Sequence, residues 1–256
     1  GAAAGITQDQ DIMGVVIIMA AVAVLGNYIG KLSLKGDKRY ALIYKLAIGI
    51  TTAKGTCFRN ADLTDANFTG SILKNTDLRE ANLTRTCWRQ AQQLEKANVD
   101  RTYLENSQVR RLVTSGYGNY ANFNRLDLRG LNLQDAQLAN ASFIGSDLSD
   151  SNLEAADLSG AKLVQTQLHR ASLTRASLTG AFIQNWGIST DTNLDSVKCD
   201  YIFMRYPNQY DPDPDYCRKP DNRNEIFREG DFTAFIAPII KTLNTYQQQN
   251  VDPRVM

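Results

Sequence analysis

A large apolar residue returns at every fifth position in two long stretches of this chain. The series begins at Phe58, breaks after Trp88, resumes at Phe123 and ends at Ile188. Its members are Phe58, Leu63, Phe68, Leu73, Leu78, Leu83, Trp88, Phe123, Leu128, Leu133, Leu138, Phe143, Leu148, Leu153, Leu158, Leu163, Leu168, Leu173, Leu178, Ile183 and Ile188. A period of five fits neither the 3.6 of an α-helix nor the 2.0 of a flat strand. The chain must therefore turn a corner every five residues.

A small residue precedes nearly every member of this series by two positions. Ala61, Ala66 and Ser71 are examples early in the chain, and Leu126, Leu131 and Trp186 are exceptions. The resulting units include Ala-Asp-Leu-Thr-Asp at 61–65 and Ala-Asp-Leu-Ser-Gly at 156–160. These units resemble the A(D/N)LXX signature of the pentapeptide-repeat family across roughly residues 56 to 204. The resemblance implies an all-β solenoid, a right-handed quadrilateral β-helix with four pentapeptides per coil and with the large and small residues facing inward.

The repeats are interrupted at about 89–120. Leu94, Val99, Leu104 and Val109 keep the spacing of five but lie one step out of phase, which predicts one extra residue near 89–91. Residues 110–120 are expected to form a short helical insertion and a glycine-containing loop. A second change of phase follows Ile188.

Segments of different composition flank the repeats. Residues 12–30 carry no charge and form a candidate transmembrane helix, although a buried helix within protein is the alternative. Lysines and arginines follow at 31–39, which predicts that the β-helix lies on the cytoplasmic side of the membrane. Residues 31–55 are expected to contain a capping helix, and residues 205–256 a loop and a second capping helix that begins near Asp231. The open ends of a β-helix need such caps because they expose apolar rings and unpaired backbone.

The chemistry of the chain favours docking over catalysis. His169 is the single histidine, it lies at an outward repeat position, and no nucleophile can be assigned to it from spacing. No metal-binding or phosphate-binding motif occurs in the sequence, so neither a cofactor nor a metal site is expected. The sequence predicts a non-enzymatic interaction or scaffold module with a protein partner of unknown identity, and a small-molecule substrate is not expected. The order of the segments also resembles that of membrane-associated pentapeptide-repeat proteins from cyanobacteria.

The alternative function is that of a DNA mimic that inhibits or protects a topoisomerase, as the resemblance allows. Such a mimic needs one sign of charge at phosphate-like density. The chain has 28 basic and 27 acidic residues and a net charge of +1, and arginines interrupt the aspartates of the repeats. Binding of nucleic acid, or mimicry of it, is therefore the less favoured interpretation.

Aromatic and basic residues outside the repeat series are the candidate docking residues, because tyrosine and arginine are common anchors of protein interfaces. They cluster near the interruption and in the tail. The candidates are Arg110, Arg111, Tyr117, Tyr120, Tyr206 and Tyr210. Cys199 and Cys217 flank a loop rich in proline and aspartate, and either a disulfide between them or two reduced thiols is compatible with the sequence.

Overall fold

The computed structural model describes residues 55–207 and 215–249, with side chains as far as residue 242. The apolar stretch at 12–30, the expected helix between 31 and 55 and Tyr210 lie outside the described residues. No helix in the described ranges is both long enough and apolar enough to cross a bilayer.

The repeats wind into a right-handed, four-sided β-helix, as the sequence predicts. Parallel bridges join residues twenty apart, as in Asp127–Asp147–Gln167, so four pentapeptides complete one coil. Four ladders of this kind run through the second half of the molecule, and they begin at Tyr117, Asn122, Asp127 and Asn132. Leu128, Leu148 and Leu168 stack on one another and are fully buried. The spacing of five therefore marks the inward face.

Each corner is a tight turn that the sequence encodes locally. The N–H of Ala136 donates to the carbonyl of Leu133 at 3.0 Å, and Asp135 between them has a φ of 54°. Where the ladder residue is Asp or Asn, its side chain closes the same corner, as Asp157 Oδ1 does when it accepts from the Ser159 N–H at 3.0 Å. Asp and Asn recur at this position because their short side chains accept from the backbone two residues onward.

The small inward residues fill the space beside the large ones. Ala156 and Ala161 are fully buried. Where the small residue is polar, its hydroxyl bonds to a carbonyl of the core, as Ser151 Oγ does to Leu148 at 2.6 Å and Thr166 Oγ1 to Phe143 at 2.7 Å. The Ser151 and Thr166 hydroxyl groups are therefore buried without leaving an unpaired donor.

The described residues belong to two compact units. One contains residues 55–57, 73–77 and 93–98, where Cys57, Asp77 and Asn98 form a parallel ladder. The other contains residues 58–72, 78–92, 99–207 and 215–249. Ile72 pairs with Gln92, twenty residues on, whereas Asp77 pairs with Asn98. The extra residue therefore lies after Gln92, and the prediction that placed it near 89–91 was wrong. A 3₁₀ turn at Leu94–Lys96 accommodates it.

The main interruption consists of a 3₁₀ turn at Tyr103–Glu105 and helix α1, Ser107–Ser115. Asn106 caps α1, since its Oδ1 accepts from the N–H groups of Gln108 and Val109. Gly116 ends the helix with a φ of 73°. The helix begins earlier than the sequence suggested because the cap at Asn106 overrides the continuing five-residue pattern.

The C-terminal part contains a short antiparallel pair, β1 (Ile202–Phe203) and β2 (Arg218–Lys219), followed by helix α2, Asp231–Gln249. Phe232 and Ile236 of α2 are buried, and Thr233 Oγ1 donates to the Leu194 carbonyl at 3.2 Å. The helix continues through Pro238. Asp231 is its first residue and accepts from the Arg228 N–H at 2.8 Å.

Candidate docking surface

Two tyrosines on a single rung are among the most exposed aromatic residues that the structure describes. Tyr117 is 65% exposed and Tyr120 is 79% exposed. Tyr117 pairs with Gln137 on the next coil, and the N–H of Tyr120 donates to the Ala139 carbonyl at 3.0 Å. The backbone of both residues is thereby fixed while their rings face solvent. We call this rung, residues 117–120, the tyrosine rung.

Helix α1 leads directly into the tyrosine rung. Val109, Leu112 and Val113 form its buried face, so Arg111 lies on the exposed side. Arg110 is half-buried, and its guanidinium donates to the Leu104 carbonyl at 3.0 Å. Arg111 is thus available for contact with a partner, whereas Arg110 holds the 3₁₀ turn against the helix.

Tyr206 lies apart from the tyrosine rung, in an aromatic cluster near the C-terminal end. Its ring meets Phe182 edge-on at 5.4 Å between centroids, and Phe182 stacks on Phe203 at 4.8 Å. The Lys162 ammonium lies 5.6 Å from the Tyr206 ring centroid. Tyr206 is half-buried in this cluster, and Tyr210 lies outside the described residues. The structure therefore groups Arg111, Tyr117 and Tyr120 but places Tyr206 elsewhere.

The Cys199 and Cys217 thiols are both free, so no disulfide joins them. Cys199 lies at an inward position and is buried, and this burial raises the pKa of its thiol to about 12. Cys217 lies in the turn that enters β2 and is half-buried. Because the Cys199 thiol is buried in the core, it cannot form a disulfide with Cys217 on the outer hairpin.

Arginines neutralise several of the acidic side chains of the repeats. Arg85 pairs with Asp65 at 2.7 Å, and Arg170 pairs with Asp150 at 2.6 Å. In each case the arginine lowers the pKa of the carboxyl, chiefly through hydrogen bonds to it. Asp127 is held in the same way by Arg129, at 2.6 Å within the same repeat. These pairs alternate in sign, so this surface lacks the continuous negative charge that a duplex mimic requires.

The single histidine lies at an outward position of the repeats. His169 is half-buried and contacts Gln167 Oε1 at 3.1 Å, which fixes it on the outside of a ladder. No cluster of three metal-ligating side chains occurs in the described ranges.

A groove of about 690 Å³ was missed by the sequence reasoning. It lies beside the 3₁₀ turn, and its lining includes Ala81, Leu83, Tyr103, Asp127 and Arg129. The change of phase after Trp88 and the expected insertion at 110–120 indicated that the stack is irregular there, but they did not predict a groove.

Residues 52–87, 121–160 and 151–185 match the family model for pentapeptide repeats, in eight copies. No curated protein matches the chain significantly. Solved structures that are similar to the chain include HetL, a protein from Arabidopsis thaliana and QnrB1. HetL, a pentapeptide repeat protein involved in heterocyst differentiation regulation in the cyanobacterium Nostoc, is 22% identical over 58% of this chain and 65% of its own, with a TM-score of 0.22.

The second structure is a pentapeptide repeat protein of the Arabidopsis thaliana thylakoid lumen. It is 21% identical over 59% of this chain and 68% of its own, with a TM-score of 0.21. The third is QnrB1, a plasmid-mediated fluoroquinolone resistance protein, which is 12% identical over 51% of this chain and 56% of its own, with a TM-score of 0.18. The repeat units, their stacking and the family match together show that residues 52–87 and 121–185 of this chain are pentapeptide repeats.

Proposed function

We propose that this protein is a non-enzymatic docking module that binds a protein partner through the tyrosine rung and Arg111. One observation carries the proposal: two highly exposed tyrosine rings stand on a rung whose backbone is fixed by the coil beside it. A rigid aromatic pair loses little conformational entropy on binding, and tyrosine and arginine are the residues that most often anchor protein interfaces.

The apolar stretch at 12–30 is proposed to hold this module at a membrane, with the β-helix on the cytoplasmic side. The support for the tether is the length of the uncharged run and the basic residues that follow it. Fractionation of cells that produce the full chain and a variant without residues 12–30 tests it. We expect the full chain in the membrane fraction and the variant in the soluble fraction. Recovery of both proteins in the soluble fraction would remove the tether from the proposal.

Affinity capture under native conditions tests the docking surface. The full chain is compared with a Tyr117→Ser, Tyr120→Ser double variant and with a Gln137→Ser control on the same face. Because a hot-spot residue contributes about 2 kcal/mol or more, the double variant should retain less than roughly a tenth of the bound partner. Equal recovery by all three proteins would place the partner on another surface.

The topoisomerase alternative is less well supported, because arginines neutralise Asp65, Asp127 and Asp150. A supercoiling assay separates the two functions. We expect no change in topoisomerase activity at micromolar protein, and inhibition or protection at that concentration would favour the DNA mimic.

A further inference from the structure

The face of the β-helix that carries Tyr117 has an anion without a counter-charge. We call it the tyrosine face, and its outward ladder consists of Tyr117, Gln137, Asp157, Ser177 and Lys198. Asp157 is exposed, and its carboxylate accepts the Ser159 N–H, but no cation in the described ranges pairs with it. The carboxylates of Asp65, Asp127 and Asp150 differ in this respect, since each of them has an arginine.

The same surface also has a cation without a counter-charge. Arg111 is exposed on α1, which leads directly into the tyrosine rung, and no carboxylate within 55–207 and 215–249 pairs with its guanidinium. Tyr117 and Asp157 are two coils apart, and stacked strands are about 4.8 Å apart. The patch therefore has a positive, aromatic end and a negative end, with the uncharged Gln137 between them.

A second copy that runs in the opposite direction complements this patch. Across a two-fold axis, residue i contacts residue j of the other copy and residue j contacts residue i. With the axis at the Gln137 rung, the end that carries Arg111 and Tyr117 meets Asp157 of the other copy, and this contact occurs twice. Gln137 faces its own copy, and its amide can both donate and accept a hydrogen bond there.

The relief of the adjacent corner fits the same arrangement. Tyr120, Asn140 and Gly160 occupy this corner on successive coils, and Tyr120 is 79% exposed. Asn140 Oδ1 lies 2.5 Å from the position that a Cβ on Gly160 would take. The Asn140 amide therefore leans along the corner, and no side chain projects from Gly160. In the antiparallel copy, this low corner lies opposite the Tyr120 ring.

We infer that the tyrosine face binds a second copy of this chain in an antiparallel orientation, across a two-fold axis at the Gln137 rung. The inference rests on the proposed function, because it names the partner of the tyrosine rung. The Arg111 guanidinium and the Tyr117 hydroxyl bind the Asp157 carboxylate of the other copy. Hydrogen bonds between charged groups are the stronger ones, and the two-fold axis supplies this set twice.

Asp135 limits the affinity of this contact. It is exposed at the other corner of the Gln137 coil, and no cation in the described part of the chain pairs with it. In the dimer it lies near the axis and opposes its own copy, where like charges repel. Three rungs also form a small patch, so we expect a Kd on the order of 100 μM.

Disulfide trapping at the axis tests the inference, because only a residue on a two-fold axis meets itself. Gln137→Cys is introduced into the full chain, and the exposed Cys57 is replaced by serine in every variant to remove background. We expect Gln137→Cys to give a cross-linked dimer on oxidation at a protein concentration near the expected Kd. Ser177→Cys, two coils lower on the same ladder, is the matched control and should stay monomeric.

A charge exchange tests the contact itself. Asp157→Lys in the Gln137→Cys protein should lower the yield of dimer about tenfold, because two cations then meet. Addition of Arg111→Asp reverses both charges and should restore the yield, which also shows that the loss was not caused by misfolding. Asp135→Asn should raise the yield, since it removes the repulsion at the axis.

Three results would overturn the inference. One is equal yields from Gln137→Cys and Ser177→Cys, or no cross-link at all. A second is a yield that Asp157→Lys leaves unchanged. The third is a yield that Arg111→Asp does not restore. Each result leaves the proposed function standing if the affinity capture still recovers a different protein through Tyr117 and Tyr120.

Discussion

Replacement of Leu158 by alanine tests the central structural claim, that residues at intervals of five stack inside the coils. Leu158 is fully buried, and its N–H donates to the Ser177 carbonyl at 2.9 Å. Its side chain lies between Leu138 and Leu178, one coil above and one below, and both of these are also fully buried.

The expected loss of stability follows from this burial. A buried leucine replaced by alanine costs about 2–5 kcal/mol, because apolar contacts are lost and the cavity collapses only in part. Collapse is restricted here because backbone bonds at 2.8–2.9 Å fix the coils on both sides. For a protein of this size, 1 kcal/mol lowers Tm by roughly 2–4 °C, so we expect a decrease of about 4–20 °C.

Asp157→Asn is the matched control, one residue away and on the outer face. Asparagine retains the side-chain oxygen that accepts from the Ser159 N–H at 3.0 Å, and it is the alternative residue of the repeat. Thermal unfolding followed by circular dichroism should place this variant within about 2 °C of the native protein. A Leu158→Ala variant that melts with the control would refute the inward assignment of the repeat.

Three further predictions concern individual groups. Arg85 lowers the pKa of Asp65, so the pair stabilises the fold fully above the ordinary carboxyl pKa of about 4. This stabilisation is lost as the pH falls through the lowered pKa. The Tm of an Asp65→Asn variant should therefore depend less on pH in that acidic range than the Tm of the native protein. Tyr103→Phe removes the acceptor of the Trp88 N–H, which should cost about 1–3 kcal/mol in denaturant unfolding and shift the tryptophan fluorescence. The buried Cys199 thiol, with its pKa raised to about 12, should stay unreactive toward Ellman's reagent at pH 8 until the protein unfolds; rapid labelling of Cys199 would contradict its inward position.

The sequence alone was sufficient to predict the regular coils. Each five-residue unit specifies its own geometry, as the unit that ends at Gly160 shows. A small and a large residue face the core, an Asp or Asn side chain closes the corner, and the last residue adopts a positive φ. Because every coil repeats the same local geometry, the stacking of Leu138, Leu158 and Leu178 follows directly from the spacing.

Only the tertiary structure showed the outcome where the five-residue repeat pattern competes with helix formation. Residues 102–111 still fit the five-residue pattern, but the cap at Asn106 and the burial of Val109 and Leu112 favour a helix instead of a rung. The spacing of the apolar residues predicts only which residues a regular coil would bury. The point at which the chain leaves the coil depends on contacts between residues far apart in the chain.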